Sequence, residues 1–338
     1  MKKYERLTFS ERVKIESYLK IGKSQIEIAQ LIDRPKCTIS REIKRNTGSV
    51  YKAEIADFLY KLKSKNKHKG NKIQDYPLLE YYIFLRLKQG WSPEQIANRL
   101  QKTKPSNKLM QVSHETIYSY IYLKTKGALR KELISYLRQE KRVRKRPEKR
   151  SKEPKILDRV SIDERPAEVA ERVIPGHWES DLIIGKDNKS CIGTIVERTT
   201  RYVIMVKLKD KSTRTVRNAF AQELKELPEY MRKTLTLDNG TEMASHKLFA
   251  KDTQMKVYFA HPYSPWERGT NENTNMLVRD FFPKGTDFNT IPSGKIKHVQ
   301  ELLNNRPRKT LDWSTPNEMF NEYILRGKAG TTYTKNVI

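Results

Sequence analysis

Cysteine is nearly absent: Cys37 and Cys191 are the only two in 338 residues, far apart and without neighbouring ligand residues. That excludes a disulfide scaffold and a cysteine-rich zinc site, and it makes a reducing cytoplasm the expected compartment. No segment reaches the roughly 18 consecutive apolar residues that a membrane-spanning helix needs. The start, Met1-Lys2-Lys3-Tyr4-Glu5, lacks the apolar core of a signal peptide. A soluble, non-secreted protein is expected on both counts. Apolar residues are also scarce, 36% of the chain, which suits several small cores joined by charged linkers better than one large globule. Acidic residues are outnumbered, 40 against 68 Lys and Arg, leaving a formal charge of +28. Such an excess calls for a polyanionic partner, and with a membrane disfavoured that partner is nucleic acid.

Two stretches read as linkers, 61–74, rich in Lys, Asn and Gly, and 138–169, which opens on a dense basic run containing Arg144, Lys145 and Arg146. Like charges keep such a run extended until a polyanion neutralises it, so these three are candidate phosphate contacts; a plain solvated tether is the alternative. The linkers divide the chain into helical parts at 1–60 and 75–137, a mixed strand and helix part at 170–325, and a tail at 326–338.

In the first part, Ser10 precedes an apolar run (Val13, Ile15, Tyr18, Leu19) that Gly22 stops. Ser24-Gln25-Ile26-Glu27 is a capping box, and Asp33-Arg34-Pro35 restarts a helix over 36–46 with Ile39 and Ile43 inward. Short helices, a tight turn and a basic last helix make a helix-turn-helix pattern that would lie in the major groove of DNA. Lys36, Thr38, Ser40, Arg41, Lys44 and Arg45 are its outward residues, with Arg41 the candidate for bidentate contact to guanine. The second part repeats the pattern less basically. Leu78, Leu79, Tyr82, Ile83 and Leu85 form one face, Ser92-Pro93-Glu94-Gln95 is a capping box, and Ser113 caps a helix exposing His114, Thr116 and Ser119. DNA contact and a dimer contact are both open readings of that surface.

From His177 the texture changes. Strands are expected at 177–184, 190–197 and 202–208 as an antiparallel meander, then a helix at 213–227, a strand at 234–237, a helix, and a strand at 255–259. That order is an α/β ribonuclease-H-like fold, here behind two helix-turn-helix domains. Asp181 sits among Leu182, Ile183 and Ile184, and Asp238 follows the fourth strand directly. A carboxylate in an apolar strand needs a partner, which a metal ion or a buried ion pair could supply, and Asp-Asn-Gly at 238–240 is also a good turn. Glu272 could project from a following helix back to the strand ends. Phosphoryl chemistry with two magnesium ions about 4 Å apart needs three such carboxylates as bridging and terminal ligands.

His-Trp-Glu-Ser-Asp-Leu-Ile at 177–183, Leu-Asp-Asn-Gly at 237–240, Pro-Trp-Glu-Arg-Gly-Thr-Asn-Glu-Asn at 265–273 and Phe-Phe-Pro-Lys-Gly-Thr-Asp-Phe at 281–288, behind the helix-turn-helix segments, resemble bacterial insertion-sequence transposases of the family numbered thirty. The resemblance covers nearly the whole chain, departing at Asn275-Met276, where Asn-Gly is expected. Between Asp238 and Glu272 lie 33 residues, a separation typical of such triads. The resemblance implies that Asp181, Asp238 and Glu272 are the catalytic, metal-binding triad of a DDE transposase, holding two Mg2+ ions for which Mn2+ may substitute. It also implies double-stranded DNA partners (terminal inverted repeats and target), a homo-oligomer of at least two copies that pairs two ends, circular or abutted-end intermediates, and a bacterial cytoplasmic location on the nucleoid.

Around the triad, Glu179, Asn239, His261, Trp266, Arg268, Asn271 and Lys284 are candidate supporting residues. Glu179 shares a strand face with Asp181, as a base or a rival ligand. Glu267 is a weaker rival to Glu272. His261 would touch the scissile phosphate or be structural, Trp266 would stack on a base or pack in the core, and Arg268 and Lys284 would contact phosphates. Two other functions stay open: a DNA-binding repressor with an inert nuclease-like domain, and a nuclease without strand transfer.

Overall fold

The computed structural model describes residues 6–46, 50–65, 72–137, 156, 158–262 and 264–329. It divides into two compact units, Met1–Asp75 and Tyr76–Ile338.

The first unit holds α1 (Phe9–Lys20), α2 (Gln25–Leu31), α3 (Lys36–Arg45), α4 (Ala53–Lys65) and α5 (Lys72–Asp75). α1 starts earlier than Ser10 suggested, because Thr8 and Glu11 form a reciprocal capping box. α2 carries the expected Ser24–Glu27 box, and α3 follows Pro35. Ile15, Ile28, Ala29 and Ile39 make the core, with Ile43 packed beside them. Val13 and Ile26 were expected to share these apolar faces but point outward, at 41% and 50% exposure. Arg12 was not foreseen as a core residue. Its guanidinium reaches Glu42 at 2.7 Å, Asp57 at 2.8 Å and the carbonyl of Leu7 at 3.1 Å, and lies over the Tyr60 ring. A buried cation persists only when its donors are satisfied this fully.

The second unit opens with α6 (Pro77–Lys88), α7 (Pro93–Thr103), α8 (His114–Ser119), a π-helical turn at Tyr120–Lys124, and α9 (Gly127–Ser135). The Ser92–Gln95 box and the Ser113 cap are in place, and Leu79, Ile83, Ile96, Leu100, Ile117 and Ile121 are buried. Leu78, expected in the core face, is 79% exposed. This helical part belongs to the same unit as the sheet that follows. α7 is fastened to the chain's far end: Gln95 Nε2 donates to the carbonyl of Pro307 at 2.9 Å and Arg99 to that of Trp313 at 3.0 Å. Arg99 also pairs with Glu318, and Lys102 with Asp312 and Ser314.

α10 (Glu168–Glu171) precedes a mixed sheet of β1 (His177–Ile184), β2 (Cys191–Glu197), β3 (Val203–Leu208), β4 (Thr234–Leu237) and β5 (Lys256–Phe259), in the order β3-β2-β1-β4-β5. β1, β2 and β3 pair antiparallel, and β1, β4 and β5 parallel, as the expected fold requires. One face packs on α11 (Thr213–Lys225) and α12 (His246–Thr253), through Ile195, Leu235 and Leu237 against Val216, Phe220 and Phe249. The other packs on α13 (Gly269–Phe281) and α14 (Ser293–Asn304), through Ile183, Ile192 and Val203 against Leu277, Val278 and Val299. α15 (Pro316–Lys328) adds Phe320 to the first face, stacked on Tyr202. β3 is an edge strand. α14 covers its free backbone groups, Gln300 accepting from Met205 N at 2.7 Å and Asn304 bonding both N–H and carbonyl of Val203.

Residues 156 and 158–169, read as linker, are part of this body. Ile156 enters the core, Ser161 bridges Phe259, and Arg165 donates to Thr236 at 3.1 Å. Their apolar residues are too sparse for a periodic signal, since backbone pairing rather than a continuous apolar face holds them. Gly193, in the middle of β2, is required by close approach: a methyl group there would lie 2.1 Å from Phe220 Cε1. Gly193→Ala should cost about 1–3 kcal/mol of stability in urea unfolding. Adding Phe220→Leu should recover part of the loss; an undiminished loss in the double variant would count against this packing.

Candidate active site

β1 and β4 pair in parallel with His177 opposite Thr234 and Glu179 opposite Thr236. Continuing that register sets Asp181 beside Asp238. In a parallel pair, residues in register point to one side, here the side of α13. Both carboxylates meet one guanidinium. Arg268, 9% exposed on the 3-10 turn Pro265–Arg268, lies 3.9 Å from Asp181 Oδ1 and 3.5 Å from Asp238 Oδ2, and donates to the carbonyl of Ser180 at 3.1 Å.

Asp181 is held further by hydrogen bonds from Asn275 Nδ2 at 2.8 Å and from its neighbour Leu182 N at 2.9 Å. Thr194, the cross-strand partner of Asp181, donates to Asn275 Oδ1 at 2.8 Å and so fixes which end of that amide faces the carboxylate. Burial pushes the Asp181 carboxyl up to about 6, with Asp238 and Glu242 adding to the rise and Arg268 opposing it. Asp238, less buried, accepts from Gly240 N at 3.1 Å.

Glu272 is on α13, exposed. Among the described residues no three His, Cys, Asp or Glu side chains are gathered as a metal-binding group. The position of Glu272 on the helix is nonetheless apt. Residues three and seven further along share its face, and these are Asn275, on Asp181, and Arg279, which donates to the carbonyl of Ile184 at 2.7 Å.

Glu179 faces α13 as expected. It is wholly buried, 3.3 Å from Arg198, and accepts from Asn271 N at 2.9 Å, so its charge is spent on the first turn of α13. Asn271, also buried, has its Oδ1 3.1 Å from the Thr194 hydroxyl. Asn239 ties the ends of β4 and β5, donating to the carbonyl of Ala260 at 2.8 Å and accepting from Arg159 at 2.6 Å. His261 has both ring nitrogens engaged, by Glu267 at 2.8 Å and Asp163 at 3.0 Å, and these carboxylates raise its pKa. That contact also occupies Glu267. Arg268 is turned onto the carboxylates, Trp266 is 72% exposed and not a core residue, and Lys284 is exposed on the turn after α13. The sequence marks Asn275 only as a departure from the family pattern and not as a partner of Asp181; three asparagines at 271, 273 and 275, costly in helix propensity, were the available signal.

On α3, Lys36, Arg41, Lys44 and Arg45 are exposed and Thr38 and Ser40 half-buried; on α8, His114 and Ser119 are exposed, and half-buried Thr116 bonds the Ser113 cap. Arg144, Lys145 and Arg146 lie outside the described residues.

Two family models match the chain, a helix-turn-helix domain over residues 3–46 and an integrase core domain over residues 174–265. The transposase for insertion sequence element IS1086 of Cupriavidus metallidurans is 39% identical over 318 residues, 93% of this chain and 94% of its own. Transposase InsI for insertion sequence element IS30A of Escherichia coli is 40% identical over 330 residues, 96% of this chain and 85% of its own. The chain belongs to the IS30 family of transposases. A Bacteroides fragilis relative, the transposase for insertion sequence element IS4351, is 39% identical over 94% of this chain and 96% of its own. Among solved structures, the catalytic core domain of BIV integrase matches 45% of the transposase chain and 98% of its own, at 18% identity and a TM-score of 0.36. The integrase-core match takes in Asp181 and Asp238 and stops short of Glu272.

An acid whose pKa is higher folded than unfolded costs stability at every pH above its unfolded value. Asp181 rises from 3.8 to about 6, so the cost is complete above pH 6 and absent below about pH 4. Asp181→Asn should therefore stabilise the transposase by about 1–3 kcal/mol at pH 8 in chelator, with the gain vanishing by pH 4. Urea melts across that range test it; a variant no more stable than wild type at pH 8 would show that the carboxylate is not strained by its burial.

Proposed function

We propose that the protein is a DDE transposase that binds the terminal inverted repeats of its element, cuts the DNA at their ends and joins those ends to new DNA. The observation that carries this reading is the in-register pair Asp181 and Asp238, which share one cation beneath a helix face that bears Glu272. Two half-buried acids sharing a single guanidinium are a fitting donor set for a hard divalent cation. Asp181, Asp238 and Glu272 would hold it, Glu272 by turning in from solvent. Two bound Mg2+ ions, or Mn2+ in their place, would supply activation of a water or 3′-hydroxyl and charge for the leaving oxygen.

The chain's own residues do the positioning. Asn275 and Thr194 fix the Asp181 carboxylate, Glu179 holds the start of α13 so that Glu272 stays over the strand ends, and Arg268 neutralises the pair until the ligands are engaged. No residue need bond covalently to DNA. α3 carries Arg41 and its basic neighbours to the repeats, α8 and the basic run at 144–146 extend the contact, and at least two copies act together to pair two ends. The work is done in the bacterial cytoplasm, on the nucleoid. A repressor with an inert catalytic part is the rival, and the solvent exposure of Glu272 is the observation that favours it.

The full-length protein, incubated with labelled duplex bearing its element's terminal repeats, should nick and join the ends with Mg2+ and do neither in chelator. Specific binding with no product in either Mg2+ or Mn2+ would support the rival. Asp181→Asn and Glu272→Gln should each abolish cleavage while leaving binding to the repeats near normal; a variant that cuts as well as wild type would remove that residue from the triad. Arg41→Ala should weaken binding to the repeats by about 1–3 kcal/mol if it reads a base. Unchanged affinity at matched salt would reject the contact.

A further inference from the structure

Three of the four tryptophans are covered to some degree, Trp91 and Trp178 fully and Trp313 in part, whereas Trp266 is 72% exposed. A single exposed ring is ordinary on a protein surface, so its exposure alone says little. Here it is carried on a turn held at several points. Ser264 N donates to the carbonyl of His261, Glu267 N to that of Ser264, and Gly269 N to that of Trp266. Glu267 takes both the backbone N–H and the ring of His261, each at 2.8 Å. Arg268 is fixed to Ser180 and to both aspartates. The two residues after Trp266 are thus turned inward and anchored, one of them on the carboxylate pair, and the indole is left in solvent with little backbone freedom to lose.

We propose that Trp266 is a stacking platform for an unpaired nucleobase at the DNA strand end whose phosphate enters the carboxylate site. The proposal rests on the reading of that site given above. A phosphate inside a base-paired duplex end is hard to bring to two acids at the end of a sheet, and releasing its base from the stack frees the strand to approach. The released base needs a surface, and an aromatic face supplies one without regard to sequence. A platform set in advance on a rigid turn beside the site also loses no freedom when the base arrives.

The test uses full-length protein with calcium in place of magnesium, so that strands stay intact. Two duplexes carrying the terminal repeats are compared: one blunt, one with a short 3′ overhang whose first unpaired base is 2-aminopurine. Wild type should bind the overhang duplex about 10-fold tighter than the blunt one, with the 2-aminopurine emission quenched. Trp266→Phe should keep most of that preference. Trp266→Ala should lose it and the quenching, while binding the blunt duplex as wild type does, which also shows that the variant is folded. A wild type without preference, or a Trp266→Ala variant that retains it, would overturn the platform. Preference intact in a protein that never cleaves in magnesium would support the platform and count against the catalytic reading alone. Cleavage intact with no preference would do the reverse.

Discussion

The parallel pairing of β1 with β4 sets two carboxylates side by side, and much of what surrounds them answers the repulsion that results. Burial raises the proton affinity of Asp181, and the charge of Asp238 raises it further. Arg268 lies across the pair, and Asn275 and the backbone of Leu182 satisfy the oxygens that the guanidinium does not reach. α13 is bound into the same arrangement from its other end, where Glu179 accepts from its first turn and Arg198 offsets the buried charge of Glu179. The site is therefore costly to the fold and specific in what relieves it. Positive charge brought between the aspartates lowers the free energy of the whole constellation, and an anion brought there alone raises it.

The parts legible in the sequence were those with short-range signatures. The ends of β1 and β4 were placed to the residue because an apolar run stops at a polar turn in both. Three capping residues, Ser24, Ser92 and Ser113, were visible because a cap and its partner stand three positions apart. Asp181 and Asp238 were visible as acids out of place in an apolar context. What stayed hidden depends on pairings between distant residues. Arg12 looks like a surface arginine until Glu42 and Asp57 are brought to it. Residues 158–169 look like tether until Phe259 is beside Ser161. The buried role of Glu179 depends on Arg198 and on the start of α13, neither of which its own neighbourhood suggests.

The second helical part shows the same limit at the scale of a domain. Its composition and caps describe a self-sufficient helix-turn-helix, yet α7 is bonded through Gln95, Arg99 and Lys102 to the segment from Pro307 to Glu318. Those partners stand 210 or more positions along the chain. Such long-range polar links leave no periodic trace in sequence, because each needs only one donor and one acceptor at its end.

That distance has a consequence in time. A ribosome adds about 5–20 residues per second, so the partners of α7 emerge on the order of 10 to 40 seconds after α7 itself. The first 75 residues, with a core of their own, have no such wait. During synthesis the chain therefore passes through a stage in which its first basic helix can be finished while the segment that fastens α7 has yet to be made. A prematurely ended polypeptide would be arrested at that stage, with its leading unit complete and the carboxylate site never assembled.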